Sequence, residues 1–140
     1  MWYDEQSWGQ KLSHLQDKGL SVTIGAEPFG STYFSHSKGG AYPHSSSNPL
    51  LPLLLYFTWT SPTADVELHA AIKESTQTLL NAAVSEGQDI AGSKQIVYNN
   101  YALPDTPLQS LYGSNLPRLK QIKEQYDPHN VMGLTGGFKL

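Results

Sequence analysis

The chain has 140 residues with nine Lys and Arg against twelve Asp and Glu, a formal net charge of −3. That balance argues against a nucleic-acid partner, whose phosphates demand a basic face, and no apolar run approaches the roughly 20 residues of a membrane helix. With no cysteine, a disulfide framework and thiolate chemistry are both excluded, and the redox compartment stays open. In chain order, "SWGQKLSHLQDKG" predicts a short helix, with Trp8, Leu12 and Leu15 on one face and Gly19 as its stop. "LSVTIGAEP" alternates Leu20, Val22 and Ile24 and predicts a strand. Residues 29–49, rich in Gly, Ser and Pro, predict a long loop, a length usually reserved for function. "LLPLLLYFTWT" is apolar nearly throughout and predicts a strand covered on both faces.

"SPTADVELHAAIKESTQTLLNAAVSEG" is the strongest helix signal. Ser61 or Thr63 is placed to cap it, Asp65 and Glu67 suit its positive end, and Gly87 stops it. Leu68, Ile72, Leu79 and Ala83 share one face. "KQIVYNNYA" predicts a third strand. The last helix is expected from about Ser114, with Pro117 in its first turn, Pro128 as its terminator, and Leu116, Leu119, Ile122 and Tyr126 buried. The order implies an α+β fold: a small antiparallel sheet with helices packed on one face, forming a single domain over residues 1–140.

The residues offer few chemical groups. Tyr98 and Tyr101 can donate and accept hydrogen bonds without ionising, and Asn99-Asn100 between them can bend the chain. Read alone, they are more simply packing residues with their hydroxyls in water. His36 and His44 share the long loop with Tyr33 and Tyr42 and are candidates for a pocket mouth. Glu27 is the carboxylate best placed for a cleft, although a strand end commonly carries such a group. No histidine spacing suggests a metal site, so no metal is expected. "KGGA", "LYGSN" and "TGGF" lack the spacing of a phosphate-binding loop, and no G-x-S-x-G is present.

As a whole, "YNNYA" followed by "LYGSNLPRLKQIKEQYDPHNV" closely resembles the C-terminal segment of berberine bridge enzyme-like FAD-linked oxidoreductases. Their pattern runs Tyr-x-Asn-Tyr, a loop, then Tyr-Gly-x-Asn-Leu-x-Arg-Leu-x-x-Ile-Lys-x-x-Tyr-Asp-Pro-x-Asn-Val. Tyr98, Asn100 and Tyr101 fit the first part, and Tyr112 through Val131 fit the second at every specified position. "GGAYPHSSSNPLLPLLLYFTWTSPTAD" resembles the family more loosely, so the likeness covers roughly residues 20–140.

The resemblance implies a flavin enzyme, in which a separate N-terminal domain binds FAD and a sheet covers the isoalloxazine ring. It implies catalytic contact for Tyr98 and Tyr101. Asn100 would be structural or near the flavin. A substrate-binding surface would include Leu54, Tyr56 and Trp59, with Glu27 and His36 beside it. Two departures alter the expectation. The 140 residues contain no FAD domain and no cysteine for a thioether link. Leu54 also stands five residues before Trp59, where plant members often carry Gln or Glu.

The reading that follows is a stand-alone, flavin-independent remnant with no cofactor expected. It would bind a small hydrophobic metabolite and promote a non-redox cyclisation, isomerisation or pericyclic step in secondary metabolism. The alternatives are a fragment or subunit of an FAD-linked oxidoreductase, or a non-catalytic binding or dimerisation module. A homodimer is expected, because the face that a flavin domain would cover needs another partner. The start "MWYDEQSWGQKL" lacks a basic-then-apolar signal pattern, and "GGFKL" resembles a family terminus, so a complete cytoplasmic protein is expected.

Overall fold

A computed structural model describes residues 8–30, 32–44 and 51–140. Two compact units emerge. The described residues up to Pro28 together with Leu51–Ala91 form one, and those from Phe29 to His44 together with Gly92–Leu140 form the other. The class is α+β, with one two-stranded antiparallel sheet among the described residues.

The first unit opens with a helical turn, α1, at residues 8–11, which tightens into a 3-10 helix at Ser13–Lys18. Gly19 ends it at φ 70°, a left-handed geometry that costs glycine little. Trp8, Leu12 and Leu15 are buried, as their spacing predicts. Lys11 lies over the Trp8 ring at 4.4 Å and reaches Glu74 at 3.1 Å, while His14 Nε2 meets Glu67 Oε1 at 2.9 Å.

Strand β1 (Ser21–Ala26) pairs with β2 (Leu53–Thr58), in a register that sets Val22 opposite Phe57 and Ile24 opposite Leu55. Phe57 sinks into the core with Trp8, Leu12, Leu15, Ala64, Leu68 and Ala71. On the opposite face, Ser21, Thr23, Tyr56 and Thr58 are exposed. β2 is therefore covered on one face rather than both. An apolar run reads the same in either situation, and here the pleat leaves Tyr56 at 56% exposure.

Helix α2 (Asp65–Ser85) supplies the cover. A 3-10 turn at Pro62–Ala64 precedes it, so Ser61 and Thr63 stand ahead of the α-helical start. Their hydroxyls pair with each other at 2.9 Å, and neither caps the helix. The buried stripe is Ala64, Leu68, Ala71 and Ser75, at intervals of four, three and four. Ile72, Leu79 and Ala83 are half-buried along its flank. The helix ends at Ser85, two residues before Gly87, which turns back at φ 89°.

In the second unit, residues 33–36 form a 3-10 turn within the expected loop, whose residues 31 and 45–49 lie outside the described residues. The third strand predicted over "KQIVYNNYA" does not form. A 3-10 turn at Gly92–Lys94 leads into an extended run, tied by Val97 N–H to the Ser110 carbonyl at 3.0 Å. The chain then reverses through Asn99-Asn100, with Tyr101 N–H on the Tyr98 carbonyl at 3.0 Å. β-Branched Ile96 and Val97 favour extension, but the described residues offer them no strand ladder to join.

Helix α3 (Leu108–Tyr112) follows in the stretch that the family pattern gives as a loop, with Leu111 fully buried. Helix α4 (Leu116–Tyr126) carries Pro117 in its first turn and stops before Pro128, as expected. Its covered face is rotated by one position from the prediction. Leu116, Leu119 and Lys123 are half-buried, whereas Ile122 and Tyr126 are exposed. Lys123 is half-buried in spite of its charge, and its ammonium bonds the Asp127 carboxylate at 2.7 Å.

Candidate functional site

The side chains with chemistry to offer gather in the second unit as a row of rings. Tyr98 and Tyr101 face each other across their turn with centroids 5.1 Å apart and planes at 89°. Tyr42 meets Tyr98 edge-on at 5.4 Å. Tyr42 and His44 are nearly parallel at 6.3 Å, and His44 packs on Phe34 at 4.6 Å. Phe34 in turn contacts Phe29 and Tyr33. Edge-to-face pairs set each ring's positive rim against the next ring's negative face, at about 0.5–1.5 kcal/mol per pair beyond burial.

Polar bonds orient this row. Asn100 Nδ2 donates to the Tyr98 hydroxyl at 2.7 Å, so that oxygen accepts and keeps its own proton to donate. Burial pushes the Tyr42 phenol above the ordinary tyrosine range, and the neighbouring Tyr98 acts in the same direction. Tyr42 is thus a neutral donor across the physiological range. His44 Nδ1 lies 2.8 Å from the Tyr42 carbonyl.

A cleft of about 220 Å³ opens beside this row, lined by Gly39, Gly40, Tyr42, Pro43, His44, Ser114 and Asn115. Asn115 forms part of its wall by donating to the carbonyls of Gly40 and Ala41 at 3.1 and 3.2 Å. Gly113 stands at φ 49°, and a side chain there would press on Pro43 at 3.4 Å. Two local signals in the sequence thus build the wall: the glycine pair, and the Gly-Ser-Asn turn ahead of α4.

Of the candidate site residues, Tyr98, Asn100 and Tyr101 come together. His36 is exposed on the 3-10 turn at Tyr33–His36 and does not line the cleft, whereas His44 does. The other four belong to the first unit. Leu54 and Tyr56 share the outward face of the sheet, opposite Gly25 and Thr23. The Trp59 indole donates to Asp65 Oδ1 at 2.6 Å and packs on the core. Glu27 is half-buried, with its backbone N–H on the Pro52 carbonyl at 3.0 Å. Ser114 and Asn115 were legible only as members of a motif, since a serine and an asparagine before a helix ordinarily suggest capping.

Among the described residues, no cluster of three or more His, Asp or Glu side chains could hold a metal ion, and no helix is long and apolar enough to cross a membrane. The flavin dinucleotide that the resemblance implies does not fit this cleft. Its volume falls below the roughly 300 Å³ at which pockets for drug-sized ligands begin, and among the described residues no Lys or Arg lines it to meet a pyrophosphate. One or two aromatic rings are the size it suits.

Residues 97–135 match the family model for berberine and berberine like proteins. The segment contains Tyr98, Asn100, Tyr101, Ser114 and Asn115. The chain is similar to the FAD-linked oxidoreductase OXR1 of Pyricularia oryzae, with 35% identity over 92 residues, which is 65% of this chain and 17% of that protein. It is also similar to the FAD-linked oxidoreductase fogF of Aspergillus ruber, at 53% identity over 38 residues, and to OXR2 of Pyricularia oryzae, at 51% over 39 residues. Each of those two matches covers 26% of this chain and 8% of the relative. The chain therefore aligns with only a small part of the length of these curated relatives. No solved structure matches it.

Proposed function

We propose that this chain is a berberine-like substrate module that binds a small aromatic metabolite in the Tyr42–His44 cleft and promotes a non-redox step on it. One observation carries the reading: the Tyr42–Tyr98–Tyr101 row, held by Asn100, beside a cleft of one- to two-ring size. Aromatic walls favour a flat ligand. Holding reacting atoms in place converts a rare encounter into a resident geometry, worth roughly 7–11 kcal/mol in ideal cases. The Tyr98 hydroxyl, with Asn100 bonded to its oxygen, is a donor for charge that develops on a carbonyl during cyclisation or isomerisation.

A second reading is favoured by the relatives' names and by the 17% of OXR1 that the match covers. In it, the module works only beside a flavin-bearing part of an FAD-linked oxidoreductase. Two measurements separate the readings. Naphthalene titrated into the protein should quench its tyrosine and tryptophan fluorescence saturably, and Tyr42→Ala should remove that quenching. Absence of saturable quenching overturns the binding site. A purified protein with a flavin absorbance band, or one retaining added FAD through gel filtration, overturns the non-redox reading in favour of the second.

A further inference from the structure

His44 has a tautomer that its surroundings assign. The Tyr42 carbonyl can only accept, so the 2.8 Å contact makes Nδ1 the protonated nitrogen of the neutral ring. Nε2 then carries the lone pair. Packing against Phe34 at 4.6 Å and near-parallel placement beside Tyr42 restrain the imidazole, so that lone pair has a fixed direction. The same ring lines the cleft.

The surrounding groups sharpen the contrast. Asn115 turns its amide nitrogen to the Gly40 and Ala41 carbonyls, which engages those two acceptors. Tyr42, which lines the cleft, brings a hydroxyl group able to donate. His44 contributes an acceptor of a different kind, an imidazole nitrogen in an aromatic wall.

We propose that His44 Nε2 is the specificity determinant of the cleft, accepting a hydrogen bond from a hydroxyl on the aromatic ligand, so that the substrate class is phenols and their enol equivalents. This rests on the aromatic-binding reading above and adds the group that the ligand must carry. A phenol lies flat against the ring row and directs its O–H in plane toward the imidazole lone pair. Its methyl ether has the same rings but no proton to give, and it leaves the nitrogen unpaired in a partly dry wall.

The test compares 2-naphthol with 2-methoxynaphthalene, using naphthalene as the common reference, by fluorescence titration of the full chain. 2-Naphthol should bind roughly five- to tenfold more tightly than its ether, the ratio expected for one neutral hydrogen bond. His44→Phe should equalise the two while still binding naphthalene. His44→Gln, which places an amide oxygen near the lost nitrogen, should restore part of the preference. In the unmutated protein, the ¹⁵N resonance of His44 Nε2 should shift with 2-naphthol and stay in place with the ether, a readout that does not depend on any variant folding. Equal affinity for phenol and ether, an unmoved resonance, or a preference that survives His44→Phe overturns the assignment and leaves aromatic binding standing. Failure of all three compounds to bind overturns both.

Discussion

The Asn100 side chain donates to the Tyr98 hydroxyl at 2.7 Å across a two-residue turn, so this amide and phenol form one unit. Its two components should separate by mutation. Tyr98→Phe keeps the ring contacts with Tyr42 and Tyr101 and loses one hydrogen bond, for about 0.5–1.5 kcal/mol of stability. Tyr98→Ala also removes two edge-to-face pairs, which adds about 1–3 kcal/mol. Urea unfolding with Asn100→Ala as the third arm checks this, and Asn100→Ala should match Tyr98→Phe.

Asp127 should make part of the stability acid-sensitive. The Lys123 ammonium holds its carboxyl below the usual carboxylate range, and the backbone N–H groups of Val131 and Met132 act in the same direction against a smaller opposing effect of burial. The folded state therefore favours the ionised form. The resulting stability is fully present above the unfolded-state value near 4 and is lost as pH falls through the lower folded value. Urea midpoints measured from pH 5 down to pH 2 should fall more steeply for the unmutated protein than for Asp127→Asn.

Gly19→Ala should be costly for two reasons that a control can separate. The backbone there sits at φ 70°, and an added methyl would lie 2.8 Å from Thr60 Oγ1. Thr60 cannot simply move, because its N–H and hydroxyl both bond the Lys18 carbonyl at 2.9 Å. The expected loss is about 1–3 kcal/mol. Gly87→Ala, also at positive φ but with open space around it, should show the backbone part alone. Equal losses in thermal or urea denaturation would mean that Thr60 yields freely.

On α2, Leu68 has no exposed surface and Val66, two residues earlier, is 87% exposed. Leu68→Ala should cost about 2–5 kcal/mol. Val66→Ala should stay within about 0.5 kcal/mol of zero. Ile122→Ala belongs between the two figures, because that residue keeps 37% of its surface exposed on α4. Chemical denaturation of the three variants decides it.

Sequence patterns were most legible where a periodic apolar set meets a single buried face. Trp8, Leu12 and Leu15 illustrate this, as do β1 and the middle of α2. They were least legible where one pattern fits two environments. The apolar run of β2 looks alike with one face covered or two. Ile96-Val97 reads as a strand whether or not a neighbour exists to pair with it. The one-position rotation of α4 turns on Lys123, whose charge suggests solvent although its stem is half-buried. At the site, the resemblance of the Tyr-x-Asn-Tyr stretch singled out Tyr98, Asn100 and Tyr101, and the structure brings their side chains together. The assignment of His44 rather than His36 to the cleft depends on the fold of the loop, which no local pattern encodes.

β1 and β2 are partners in the sheet but not neighbours in the chain. The ladder ends with Ala26 opposite Leu53, and Glu27 N–H on the Pro52 carbonyl extends it. The chain between those residues, which includes Tyr42 and His44, leaves and re-enters the sheet at adjacent points. Fraying that end of the ladder restores to the chain the freedom that closure had removed. The β1–β2 ladder therefore carries that closure cost, and weakening its Ala26–Leu53 end should lower the stability of the first unit.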